Sequence, residues 1–314
     1  MTLRQKVSYL LLFFLVLFIS FSESIFQIRS NLYWIFHQKD TTRVQFFDST
    51  YQWQSLDSVK TLQLDTLVSE EGITVSKLHM RRGGNGFFHH MVHTFTQPFI
   101  FVVEVDPLLH NFDIYTKKGG IAPFDPSTLK EQEEQLKFFI NSNFTDKQSK
   151  PMGLILKDGK RINAPIPKWT GFFFITEDNE VLAGPTSIYQ AHKVKTAIQA
   201  YPSLMKYGKV FSYFYQTKTP VFNGVRITYR NCVGVKKNGN IVFLFSGRGG
   251  ILNFKEVAIL AVKLSMYHAT MLDGGKALTA YGEVNGTTFG YSPLNKNWLP
   301  DGFAECPSVY IGVK

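Results

Sequence analysis

The sequence predicts a sheet-rich globular protein of one domain, carried behind an N-terminal export segment. Three observations predict it. Of 314 residues, 44% are hydrophobic and 18% charged, the balance of a chain that buries a core. Phe occurs 29 times, much of it in short runs with β-branched residues, which suits strands. Short apolar runs alternate with Gly/Asn/Asp turns along most of the chain. No internal repeat or low-complexity linker interrupts them, so one domain is the economical reading.

The export segment comes first. Arg4 and Lys6 precede an apolar run from Val7 to Phe21, broken only by Ser8 and Ser20. A basic start followed by a core of this length is a secretory signal or signal-anchor pattern, short of the roughly 20 residues of a spanning helix. Residues 1–24 are therefore expected as a signal peptide or membrane anchor, and the protein as periplasmic, membrane-anchored or secreted. Residues 25–70 read as a connector and outer layer, and 71–314 as the main domain. The net charge of +10 suits an anionic membrane surface or a phosphate-bearing substrate. It argues less for nucleic acid, since Lys and Arg are spread with no dense basic block. In an oxidising compartment Cys232 and Cys306 could form one disulfide, although Cys232 also fits a small buried hydrophobe within a strand. Asn143-Phe144-Thr145 and Asn285-Gly286-Thr287 match the glycosylation sequon.

Strands are expected at 72–80 and 91–105, the second ending at Asp106-Pro107. On a strand His89 and His93 would share a face and His90 would point away, so no metal site is expected there. Asp125-Pro126 opens a helix running to about Leu136, and short strands follow at 138–140, 151–156 and 171–175. A further helix is expected near Ser187 to Thr196.

The chemical segment starts at Arg230. Arg230 to Val235 and Ile241 to Phe245 read as a hairpin turned by Lys236 to Asn240. The Ser246-Gly247-Arg248-Gly249-Gly250 loop then precedes a helix with apolar residues at Phe254, Val257, Ala258, Ala261 and Leu264. Such a loop is a candidate anion cradle, although it fits neither the P-loop nor the dinucleotide pattern, and no cofactor is expected. Asn253 and Glu256 have capping-box spacing, so Glu256 serves either the helix or a pocket. The run Thr270-Met271-Leu272 ends at Asp273-Gly274-Gly275, either a plain turn or a carboxylate set at a strand end beside close-approaching backbone. Two carboxylates near an anion cradle suit cleavage of a sugar–phosphate linkage.

From about Phe139 to the end the chain resembles the phosphodiester glycosidase family, most in style its bacterial exported members. The resemblance rests on five elements in order. They are Ile140-Asn141-Ser142-Asn143-Phe144; Pro151 with Gly153-Leu154 and Asp158-Gly159-Lys160; Arg230 to Val235; Glu256-Val257-Ala258; and Leu272 to Gly275. It implies a compact α+β domain with a twisted mixed β-sheet and flanking helices. It also implies a hydrolase that cleaves the glycosidic bond of a sugar-1-phosphate diester, here in an envelope or surface glycan. Asp273 would be the main catalytic carboxylate and Glu256 its partner or a pocket-shaping residue. Arg230 and Arg248 would bind phosphate, Asn141 would orient substrate, and Gly274 and Gly275 would border it. Three places depart from the family pattern: Asn143 replaces a glycine, Gln199 to Ser203 replaces a Ser-Gly-Pro segment, and Lys276-Ala277 follows the glycines where small and hydroxyl residues are usual. These departures motivate a second reading, a membrane-anchored glycan-binding or envelope assembly protein that has lost the chemistry.

Overall fold

The computed structural model describes residues 28–39, 43–83, 86–117, 133–146, 150–215, 225–293 and 307–314, with isolated positions at 8–10, 13–14, 129 and 148. Most of the apolar run at 7–21, most of the helix expected from Asp125 to about Leu136, and Cys306 lie outside the described residues. Cys232 is buried and free.

The architecture is mostly β, with few helices. A ten-stranded sheet runs from Lys209–Val210 through Ser203–Lys206, Met266–Leu272, Asn231–Lys236, Ile241–Ser246 and Phe99–Val105 to Ile73–Arg81 and the three short strands at 45–70. Two five-stranded sheets accompany it, one centred on Gly171–Thr176 and Val194–Ala200, the other on Phe138–Asn141 and Val309–Val313. The expected mixed sheet is corrected here, because every strand pair among the described residues is antiparallel. Parallel pairing needs a crossover of a dozen or more residues, and here short hairpin loops join many of the neighbours.

The central strands are covered on both faces, which explains their continuous apolar sequence. Val233, Val235, Ile241, Phe243 and Phe245 point to one core, shared with Phe138, Ile140, Phe173 and Ile198 of the smaller sheets. The alternate residues Cys232, Val242 and Leu244 face a second core, filled by Phe254, Val257, Leu260 and Ala261 of the Phe254–Lys263 helix. Each burial of an aliphatic side chain of this kind contributes about 1.5–3 kcal/mol.

Two local expectations are overturned. Residues 87–96 form a helix, with strand structure resuming only at Phe99. Its aromatic content suggested a strand, but Val92 and Thr96 bury at helical spacing. Left-handed Gln97 (φ 49°) and then Pro98 end the helix. The second concerns 187–196, where helix extends only over Thr186–Tyr189 and a strand begins at Val194. The β-branched Val194, Thr196 and Ile198 favour the pleated sheet over helix.

Candidate active site

Register brings the chemical residues together. Strand Met266–Leu272 lies antiparallel to Asn231–Lys236, with Leu272 opposite Asn231. One step further, Asp273 leaves the strand beside Arg230, and the two line one cleft of about 490 Å³. Its lining also includes Asn31, Trp34, Phe144, Tyr201, Arg226, Thr228, Tyr229, Phe254, Gly274, Gly275 and Lys276.

The Asp273 turn is fixed from below. Buried Asn141, at the end of strand Phe138–Asn141, donates from Nδ2 to the Asp273 carbonyl (3.0 Å). Its Oδ1 accepts from the Thr279 amide (2.9 Å). Asn231 Nδ2 donates to the Asn141 carbonyl (2.7 Å) and also lies 3.3 Å from the Asp273 carbonyl. The Asp273 amide donates to Ser142 O (3.2 Å). Asn141 is thus under the turn and not among the cleft-lining residues, which separates it from the substrate contact expected of it.

The two glycines have different reasons. A Cβ on Gly274 would stand 2.7 Å from Tyr229 O and 3.2 Å from Arg230 Cα, so the turn approaches the neighbouring backbone too closely for a side chain. Gly275 adopts φ +62° and opens a short 3₁₀ turn that presents exposed Lys276 to the cleft. Ala277 is buried and is not among the lining residues.

Arg230 is 5% exposed and heavily anchored. Its Nε donates to Leu252 O (2.9 Å), its Nη2 donates to Arg226 O, and its guanidinium stacks on the Phe254 ring at 4.0 Å. Burial pushes its pKa down to about 9; Glu256 opposes that shift and Arg226 adds to it. The group therefore stays cationic at neutral pH.

Glu256 is placed elsewhere. Its Oε2 accepts from the Asn253 amide (2.8 Å) and from Arg82 Nη2 (2.5 Å), while Asn253 Oδ1 accepts the Glu256 amide (2.9 Å). The capping box is complete, and the carboxylate also neutralises a buried arginine whose side chain is 1% exposed. Glu256 does not line the cleft and bears on it through the charge of Arg230.

The glycine-rich loop differs from the expected anion cradle. Four amides at the loop are already bonded within the protein: Gly247 N donates to Phe99 O, Gly249 N to Ser30 Oγ, Gly250 N to Gly247 O and Ile251 N to Gly249 O. Arg248 is half-buried and not among the lining residues. His89, His90 and His93 lie on the Phe87–Thr96 helix, where His89 and His93 share a side. Among the described residues no three ligating side chains converge.

Sequence reasoning missed one wall. The Ile28–His37 helix, read as part of a connector, contributes Asn31 and Trp34 to the cleft. It is locked in place by Ser30 Oγ, which bonds Tyr229 OH (3.0 Å), and by buried Tyr33, whose OH accepts the Arg82 amide (2.8 Å). Arg226 was missed too, although Arg226, Thr228 and Arg230 at alternate positions of an extended chain share a face, and all three reach the cleft.

The chain belongs to the phosphodiester glycosidase family, which it matches over residues 134–304, just over half its length. In fold it is similar to the catalytic domain of zebrafish N-acetylglucosamine-1-phosphodiester alpha-N-acetylglucosaminidase, a structure described as auto-inhibited by its pro-peptide. That similarity has a TM-score of 0.60 at 17% identity and covers 80% of this chain and 86% of that one. A hypothetical protein from Synechocystis is similar with a TM-score of 0.54 at 14% identity, over 87% of this chain and 68% of that one. No curated protein matches the sequence.

Proposed function

We propose that the protein is an exported hydrolase that cleaves the glycosidic bond of a sugar-1-phosphate diester, in an envelope or surface glycan. The observation that carries this reading is the charge pattern of the cleft, where Asp273 stands among Arg226, Arg230 and Lys276. When the anomeric C–O bond breaks, positive charge grows on the sugar and negative charge on the departing phosphate. Asp273 stabilises or traps the first, and the cations hold the second. Phosphate leaves readily, so no strong general acid is required, and water completes the hydrolysis. Trp34, Phe144 and Tyr201 offer aromatic surface to the sugar, while Gly274 and Gly275 let the backbone border it. Asn141 acts by positioning Asp273, and Glu256 by sustaining the charge of Arg230 and pairing with Arg82. Arg248, expected to bind phosphate, does not line the cleft, and the phosphate is held by Arg226, Arg230 and Lys276 instead.

A second reading, a glycan-binding protein without activity, is favoured by one observation. Tyr201 and Lys276, both in stretches that depart from the family pattern, line the cleft themselves. The lost hydroxyl at Ala277 weighs less, because that position is buried. Sugar release from UDP-N-acetylglucosamine and simple sugar phosphodiesters separates the two. The hydrolase reading expects release that falls about 100-fold or more in Asp273→Asn. Glycan binding without release from any substrate would establish the second reading instead, and equal activity of the variant would remove only the role given to Asp273.

A further inference from the structure

An amphipathic helix normally turns its apolar face inward, and the Phe87–Thr96 helix also shows one outward. Phe87 (83% exposed), Phe88 (47%), Met91 (46%) and Phe95 (37%) are all exposed. At about 100° per residue these four positions fall within a single arc of roughly 100°, a continuous outward stripe. The Ile28–His37 helix packs beside it and extends the patch with Ile35 and Phe36, exposed to 54% and 44%. Phe36 and Phe88 join the two helices edge to face at 4.8 Å. A contiguous exposed aromatic patch of this kind marks a docking surface.

What covers it is indicated by the chain just upstream. The apolar run Val7–Phe21 stops seven residues before Ile28, a reach of no more than about 25 Å. Wherever that run is embedded, the helix pair lies beside it, and the net charge of +10 favours an anionic lipid surface. We propose that the exposed face of these two helices docks on the lipid bilayer that the N-terminal apolar run enters. The aromatic stripe sits about 5–10 Å into the headgroup boundary, as interfacial helices do. Because the Ile28–His37 helix also carries Asn31 and Trp34, docking holds the cleft wall close to the bilayer. This surface does not depend on the reaction assigned to the cleft.

The test uses the full chain in vesicles of phosphatidylcholine with a minority of phosphatidylglycerol. Cys306→Ser removes one thiol, and Cys232 is wholly buried. A polarity-sensitive fluorophore is placed at Phe87→Cys or Met91→Cys, and for comparison at Leu108→Cys. Leu108 is 92% exposed and lies beyond the far end of strand Phe99–Val105, roughly 20 Å away. Labels at 87 and 91 should shift to the blue and lose more than about half their emission to lipid carrying shallow quenchers, with no change at 108. A label at 87 as wet as that at 108 would overturn the proposal. So would one that is blue-shifted yet indifferent to the lipid quencher, since a second copy or the chain's own apolar run would then cover the patch.

Discussion

Replacing Asn141 with alanine isolates the support of the catalytic turn from the turn itself. The substitution removes the 3.0 Å donation to the Asp273 carbonyl and leaves the Thr279 amide, previously bonded at 2.9 Å, without its acceptor. Thr279 is 6% exposed and Asn141 fully buried, so water does not replace what is lost. An unmet buried amide costs about 1–3 kcal/mol, and with the second bond the total is about 2–4 kcal/mol. For a chain of this size that lowers the melting temperature by roughly 3–6 °C. The Asp273 carbonyl then loses the shorter of its contacts from the two asparagines, the one from Asn231 being 3.3 Å, and a displacement of the carboxylate by about 1 Å costs roughly 100-fold in kcat. KM should change little, because Asn141 does not line the cleft. Thermal melting together with steady-state sugar release reads all three quantities. A raised KM with kcat intact would refute the positioning argument and return Asn141 to direct substrate contact. An unchanged melting temperature would refute the hydrogen-bond network.

Two further predictions concern charge. Glu256→Gln breaks the buried pair that Glu256 forms with Arg82 at 2.5 Å, which costs about 3–5 kcal/mol, so chemical denaturation should show a large loss of stability; a variant as stable as the parent but inactive would make Glu256 a catalytic group after all. Acidification should destabilise the protein between pH 6.5 and about 4. Burial pushes His93 down to about 4, with Arg81, His90 and His37 adding to the shift and a backbone bond at Met80 opposing it. The unfolded chain then binds more protons in that window, and the stability present above pH 6.5 is lost as pH falls through the folded value. His93 accounts for about 1–2 kcal/mol once screening at its half-buried position is allowed for. His79 and His268 shift the same way, mainly through burial. Denaturation midpoints measured across this range, with His93→Gln flattening the slope, check the assignment.

The parts of the site legible in the sequence are those governed by short-range rules. Asp273, Gly274 and Gly275 end an apolar strand, and only the tight approach of Gly274 to Tyr229 had to be added. The Arg230 hairpin and the Asn253–Glu256 capping box are likewise local patterns. What could not be read depends on contacts far apart in the chain. Ser30 meets Tyr229 across 199 residues, and Arg82 meets Glu256 across 174. Glu256 has the same local sequence whether it faces a pocket or a buried arginine, so only the fold decides. The glycine-rich loop was misleading for a similar reason: its free amides are consumed by Phe99 and Ser30, which arrive from distant segments. The Phe87–Thr96 helix was obscured because aromatic residues at helical spacing resemble a strand when composition is weighed above period.

The central claim is that the bond broken lies between the anomeric carbon and the phosphate oxygen, and not between that oxygen and phosphorus. Hydrolysis of a sugar-1-phosphate diester in water enriched in oxygen-18 tests it directly. With Asp273 acting at the anomeric carbon, the heavy oxygen should appear in the released sugar and be absent from the phosphate product. Heavy oxygen in the phosphate would contradict the account, since the cleft would then be attacking phosphorus.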